Sequence, residues 1–279
     1  MSKAKIVYIC SLRNAAADQA GQYIEYKEER RYMKSPLEYL VEELNETSLG
    51  QSYTLEAVIY DDDEGSPRDR ERLAEYGFRC EPGKKWLCPA GLQVQGRDLD
   101  TLMQAIPSTY RRHARGTPEH VAGKRVFEAN LLAKLNELGA DLVLLDGLLI
   151  ILDELVRPGC PYHRRIVNIH PGITRLESPY ERRGAWATLN ALYGARGQQV
   201  RDWSTMETVA VPPVLMTGAS FHYVDNGIDS GEVIVDVLKT EIDPEDTILE
   251  LRWNNFKLSL FPAMQQGLTL MAGRLRKAA

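Results

Sequence analysis

Short unbroken apolar runs alternate along the chain with segments of helical period. Ile6-Val7-Tyr8-Ile9-Cys10 carries no charge, as expected of a strand buried on both faces. The polar segment Ser11-Leu12-Arg13-Asn14 follows, and Tyr32, Met33, Leu37, Leu40, Val41 and Leu44 then predict a helical stretch. Residues 54–60 (TLEAVIY) form the next strand and end abruptly in Asp61-Asp62-Asp63-Glu64. Strand, helix, strand is the rhythm of a parallel α/β sheet. Over 125–138, Val126, Leu131, Leu132 and Leu135 recur at helical spacing, with Gly139 as the stop. The continuous run 141–145 (DLVLL) reads as a central parallel strand. A further strand, 165–169 (RIVNI), leads into His170-Pro171-Gly172, and 184–193 reads as a helix.

Two regions break the rhythm. From 65 to 120 prolines and glycines punctuate the chain, which predicts an irregular excursion with one or two short elements rather than a separate domain. Residues 198–217 have no helical period, contain Pro212-Pro213, and read as an inserted loop. After it, 218–224 alternates as a strand, 225–231 (DNGIDSG) is dense in turn residues, and 232–238 completes a hairpin. Asp246 precedes a long amphipathic helix from Thr247 with Ile248, Leu251, Phe256 and Leu260; Pro262 falls inside it or at a break. Residues 1–279 are thus expected to form a single α/β domain. Its core would be an open, mostly parallel twisted sheet flanked by helices, with an added hairpin.

Composition narrows the class. The hydrophobic share of 44% and charged share of 26% are those of an ordinary globular protein. A net charge of −5 gives no footprint for a nucleic-acid backbone, so no nucleic-acid partner is expected. No stretch nears the ~18 apolar residues that cross a bilayer, so no membrane partner is expected. Met1-Ser2-Lys3-Ala4-Lys5 runs directly into the first strand without a signal-peptide core. The four cysteines, Cys10, Cys80, Cys88 and Cys160, are scattered, which predicts a reduced, cytoplasmic protein. The acidic run 61–64 reads as a solvated loop rather than a metal site, because no histidine or spaced carboxylate set accompanies it.

Asn168-Ile169-His170-Pro171 lies at the carboxyl end of a predicted parallel strand, the edge where open α/β sheets bind ligands. Residues two apart share a side of a strand, so Asn168 and His170 face one space. An amide donor beside an imidazole suits a reaction that builds negative charge on a carbonyl oxygen. Taken alone, the motif fits a strand-end histidine that merely hydrogen-bonds a loop better than a catalytic one. Asp229, between Ile228 and Ser230-Gly231, either points back into a site or closes its own Asx turn.

Asn168-Ile169-His170-Pro171, with His222-Tyr223-Val224-Asp225-Asn226-Gly227-Ile228-Asp229-Ser230-Gly231 downstream, resembles the formyltransferases that use 10-formyltetrahydrofolate. Asp246-Thr247, Pro262, and Asp141-Leu142-Val143 leading to Gly147-Leu148-Leu149 fit the same pattern, which spans about 125–271. The resemblance implies a Rossmann-like formyltransferase domain and 10-formyltetrahydrofolate as co-substrate, with no metal. Asn168 and His170 would donate to the formyl oxygen as a tetrahedral oxyanion forms. Asp229 would hold His170 charged or donating and help move a proton from the amine to the folate nitrogen. The pterin would lie among Gly147, Leu148, Leu149, Ile150 and Leu152 and the loop residues Val224, Asp225, Gly227 and Ile228. Ser220 and His222 match positions near the site, in supporting roles.

The segment after the first strand narrows the acceptor. Members acting on glycinamide ribonucleotide carry a glycine-rich phosphate turn there. This chain has Ser11-Leu12-Arg13-Asn14-Ala15-Ala16-Ala17 and no glycine until Gly21. Members acting on tRNA add a basic C-terminal domain, whereas this acidic sequence runs only 17 residues past Pro262. The stretch Val7–Gly21, Arg30-Arg31-Tyr32-Met33-Lys34-Ser35-Pro36-Leu37-Glu38 and the insertion near 198–217 are similar to the hydroxyornithine formyltransferases of siderophore (pyoverdine) biosynthesis. That similarity implies N5-hydroxyornithine as acceptor and a hydroxamate as product. Arg13 or Lys257 is the candidate partner for the amino acid's carboxylate, with surface charge as the other reading for both; Asn14 and Ser220 join them as candidate acceptor contacts. The alternatives are a glycinamide ribonucleotide formyltransferase, a 10-formyltetrahydrofolate hydrolase, and a non-catalytic folate-binding module.

Overall fold

The computed structural model describes residues 2–62, 91–148 and 150–278, with positions 67, 71 and 89. Its strands are β1 (Ala4–Ser11), β2 (Gln22–Tyr26), β3 (Glu29–Met33), β4 (Tyr53–Asp62), β5 (Gln93–Val94), β6 (Arg97–Asp98), β7 (Met103–Pro107), β8 (Leu142–Asp146), β9 (Ile166–His170), β10 (Gln198–Asp202), β11 (Glu207–Ala210), β12 (Met216–Tyr223) and β13 (Val233–Glu241). Seven of them build one sheet in the order β13-β12-β9-β8-β1-β4-β7. β9, β8, β1, β4 and β7 run parallel, and β12 and β13 form the antiparallel hairpin at one edge. From β1 the chain builds outward to β4 and β7, then crosses back to β8 and β9. The order therefore reverses between β1 and β8, and a crevice opens at their carboxyl ends.

Alternation along the strands divides the core between two layers. Ile6, Tyr8, Cys10, Leu142, Leu144, Val167 and Ile169 face a cluster completed by Leu37, Leu40, Met264 and Leu268. Val7, Ile9, Val143, Leu145 and Ile166 face a second cluster with Phe127, Leu131, Leu135 and Leu152. Both faces of the parallel strands are covered, which is why their sequence runs are apolar throughout. Each fully buried Leu or Ile contributes on the order of 1.5–3 kcal/mol.

Helix ends follow local chemistry. Pro36–Glu46 opens with a capping box, Ser35 accepting from the Glu38 amide while Glu38 reaches back, and Pro36 takes the first turn. Pro118–Leu138 is capped by Thr117 and closed by Gly139 at φ 63°, where a side chain would be strained. Ile248–Asn255 has a second capping box, Thr247 with Glu250. It passes into a π turn, Phe256–Leu260, and then into Phe261–Ala278. Pro262 has no N–H to donate and its ring crowds the carbonyl four residues back, so the wider turn sits where a regular helix would clash. No helix among the described residues is long and apolar enough to cross a membrane.

Three expectations change. Tyr32 and Met33 belong to β3 of a hairpin with β2, and the helix begins only at Pro36. Within 65–120, the described residues hold an edge strand of the main sheet, β7, and Pro118 starts a helix instead of breaking one. The segment 198–217 is not loop throughout, because β10 and β11 pair as an antiparallel hairpin and β12 starts at Met216. Cys80, Cys88 and most of 63–90 lie outside the described residues.

Candidate active site

β9 delivers Asn168 and His170 to the carboxyl edge on the same face as Ile166, opposite Val167 and Ile169. β12 runs antiparallel beside it, with His222 across from Asn168 and Ser220 across from His170. The loop leaving β12 then turns back through Asp229, whose φ of 46° is left-handed, a conformation aspartate tolerates better than most residues.

The three expected residues meet. The Asn168 amide donates to Asp229 Oδ1 at 3.2 Å, and its nitrogen also lies 3.2 Å from His222 Nε2. His170 Nδ1 stands 3.4 Å from Asp229 Oδ2, and His222 Nε2 is 3.5 Å from Oδ1. The Gly184 backbone N–H donates to Asp229 Oδ2 at 2.8 Å. Burial pushes the Asp229 carboxyl up, but hydrogen bonding from His222, the two imidazoles and the Gly184 amide outweigh it and hold the group well below the usual carboxylate range.

His170 feels two opposed influences. An adjacent carboxylate by itself favours imidazolium, yet burial dominates and pushes His170 down, with Asp229 opposing it less strongly. Its Nε2 faces the Arg182 carbonyl at 3.0 Å, and a carbonyl only accepts, so Nε2 carries a proton. Its Nδ1 faces the ionised Asp229 carboxylate, so both ring nitrogens point at acceptors. Burial weakens the ring's hold on its second proton while Asp229 favours it, so His170 is placed to give up and regain a proton beside the carboxylate.

These groups open into a cavity of about 1230 Å³. That exceeds the ~300–1,000 Å³ typical of a site for one small ligand and leaves room for two. Of the expected folate contacts, Gly147, Leu148, Ile150, Val224, Asp225, Gly227 and Ile228 line it. Leu149 is outside the described residues. Leu152 does not line the cavity; it is fully buried in the second cluster, because the chain turns inward there to close the core. Gly147 has φ 61°, and a Cβ on it would come 2.1 Å from Asn14 Nδ2, so only glycine lets the two segments touch.

Of the expected acceptor contacts, Arg13 and Asn14 line the cavity, with Arg13 3.3 Å from Asp61. Ser220 and Lys257 do not. Ser220 is fully buried, accepting from the Thr174 amide and donating to Asp236. Lys257 is exposed, its ammonium 5.1 Å above the Trp253 ring, because the π turn aims it outward.

Three cavity features lie outside the sequence expectations. Asp146 ends β8 and accepts from the Tyr8 hydroxyl; burial pushes its carboxyl up to about 7, against the Tyr8 hydrogen bond. Asp18 forms an ion pair with Arg252 across 234 positions. Arg112, His113, Arg115 and His120 gather at another part of the wall. Asp146 was reachable as the polar end of the DLVLL run; the other two depend on the fold.

Comparison with known proteins agrees with this geometry. The formyl transferase family pattern matches residues 92–258, more than half of the chain. The chain is similar to the solved structure of PvdF of pyoverdin biosynthesis, an N10-formyltetrahydrofolate-dependent formyltransferase. Identity is 66% over 97% of this chain and 99% of that one, with a TM-score of 0.90. It shares its fold with phosphoribosylglycinamide formyltransferase from Brucella melitensis at 16% identity over 97% and 96% of the two chains, TM-score 0.55. Glycinamide ribonucleotide transformylase 1 from Symbiobacterium toebii matches at 18% over 97% and 88%, TM-score 0.54.

Proposed function

Since the chain belongs to the formyl transferase family, we propose that it transfers the formyl group of N10-formyltetrahydrofolate to the hydroxylamine nitrogen of N5-hydroxyornithine, yielding a hydroxamate for siderophore biosynthesis in the cytoplasm. The observation that carries this reading is the contact of Asn168, His170 and Asp229 in one cavity, in a chain 66% identical to PvdF.

The folate co-substrate supplies the formyl carbon. Leu148, Ile150, Val224 and Ile228 give its ring system an apolar wall, and Gly147 and Asp225 bring backbone close to it. The basic wall of Arg112, His113, Arg115 and His120 suits the carboxylates at the folate's other end. The Asn168 amide, held by Asp229 and within reach of His222, would turn an N–H to the formyl oxygen as negative charge grows there. The His170–Asp229 pair takes the proton that the attacking nitrogen gives up, the ionised Asp229 stabilising the imidazolium. The same proton then serves the departing folate nitrogen. A hydroxylamine is largely neutral at pH 7, so a weak base suffices, which agrees with an imidazole pushed down by burial.

The ribonucleotide alternative is weaker. Leu12–Ala17 is a short helix with no glycine-rich turn before it, and the ribonucleotide enzymes share only the fold. A screen of amine and hydroxylamine acceptors, read as tetrahydrofolate release, tests the reading. Faster turnover with N5-hydroxyornithine than with glycinamide ribonucleotide is expected, and the reverse order would overturn it. Formate release at the same rate without any acceptor would mark a hydrolase.

A further inference from the structure

The cavity at the sheet's carboxyl edge takes its walls from both faces of the sheet. Asn168 and His170 point to the face of the second core cluster, where Leu148, Ile150 and Val224 also lie. Asp146 points to the other face, with Tyr8, and there the wall is made by Asp18, Arg252, Phe256 and Leu260. The first side holds the residues proposed to take the folate. The second is another stretch of the same wall, with two apolar side chains and a set of buried charges that the proton chemistry does not use.

Those charges are arranged in a particular way. Asp18 Oδ1 pairs with Arg252 Nη1, while Oδ2 takes the Asn14 amide at 3.3 Å. Their side chains are only 10% and 13% exposed, yet both border the cavity. Asp146 adds a second carboxyl group, whose partner is a neutral phenol. Arg13, the other candidate cation, pairs with Asp61 at the end of β4, three strands from β9. Arg252 sits on a helix that is tied to the catalytic strand. Asn255, one helical turn later, donates to the carbonyl of Pro171, the residue after His170.

We propose that the Asp18–Arg252 pair, with Asn14 and Asp146, is the subsite for the zwitterionic head of the amino-acid acceptor. Arg252 takes the α-carboxylate, and the α-ammonium lies between Asp18 and Asp146. A cation and an anion side by side are matched by a ligand carrying the opposite charges at the same spacing, and binding leaves every charge paired. Phe256 and Leu260 cover the methylene chain. That chain, four bonds from Cα to the terminal nitrogen, spans about 5 Å, close to the ~4.5 Å rise along the helix from Arg252 to Asn255, which holds Pro171. The inference rests on the amino-acid acceptor proposed above.

The test uses the whole enzyme with three acceptors: N5-hydroxyornithine, 5-(hydroxyamino)pentanoate, which lacks the ammonium, and N-hydroxy-1,4-diaminobutane, which lacks the carboxylate. With the unaltered protein, deleting either group should raise the acceptor KM tenfold or more and leave the folate KM within twofold. Arg252→Gln should bind N5-hydroxyornithine no better than the compound without a carboxylate. The double variant Asp18→Asn with Arg252→Gln, which leaves no unpaired charge if either single variant folds poorly, should be indifferent to both groups. An active enzyme whose variants still discriminate as the unaltered protein does would overturn the subsite alone. An unaltered protein that does not formylate N5-hydroxyornithine would overturn the acceptor reading, and the subsite with it.

Discussion

Gly184 donates its backbone N–H to Asp229 Oδ2 at 2.8 Å, so the carboxylate is gripped from the side opposite Asn168 by a group that cannot rotate away. Asp229 is therefore oriented by backbone before any substrate arrives. Replacing it with asparagine keeps the shape but removes the charge that stabilises a protonated His170. Asp229→Asn is expected to lower turnover by about 100-fold or more, with a thermal midpoint within a few degrees of the parent. Stopped-time assays of tetrahydrofolate release and a melting curve check the two halves separately.

The burial of His170 has a pH consequence. Its Nδ1 accepts a proton only while unprotonated, and burial sets its folded value below the ordinary 6.5. Turnover should hold at neutral pH and fall on the acid side with a midpoint below 6.5. Between the two values the unfolded chain binds the proton that the folded chain refuses, so stability also drops as pH falls through that window. A pH–rate profile with an acid limb centred above 6.5 would contradict this.

Asp146 predicts the opposite slope. Its folded value near 7 lies above the ordinary 3.8, so the ionised form is disfavoured by the fold. That contribution is fully present below the unfolded value and is lost as pH rises through about 7. Asp146→Asn, which can still accept from Tyr8, should gain stability relative to the parent at pH 8 and little or none at pH 4. Denaturant midpoints at the two pH values measure the difference.

Asn255 is almost fully buried and holds two carbonyls, Pro171 at 3.3 Å and Gly218 at 3.0 Å. Asn255→Ala leaves both without that donor and should cost about 2–3 kcal/mol of stability. Because Pro171 follows His170, kcat should fall as well. Unchanged kcat in a folded variant would show that the clamp serves stability alone.

The parallel strands were legible because burial on both faces makes their sequences apolar without interruption, as in Ile6–Cys10 and Leu142–Leu145. The Asn168, His170 and Asp229 set was legible through a motif with fixed spacing. What escaped has physical causes. Tyr32 and Met33 lie five and four residues before Leu37, a spacing that mimics a helix, while the Ser35-Pro36 start contradicts it. β7 is five residues long, half-exposed and ends in proline, so neither its length nor its pattern marks a strand. The protonation of His170 depends on burial, a property of the packed state and not of the motif. Asp18 and Arg252 meet only because the sheet brings β1 and the late helix to one edge.

The π turn at Phe256–Leu260 also bears on how such an enzyme diversifies. One added residue shifts the helical phase by about 100°, so the half that carries Arg252 and Phe256 need not keep step with the half that carries Met264, Leu268 and Met271. Mutation can then recut the cavity wall for a new acceptor without disturbing the seat of the final helix. Chemistry stays put at β9, while selectivity is free to drift on a neighbouring hinge of sequence.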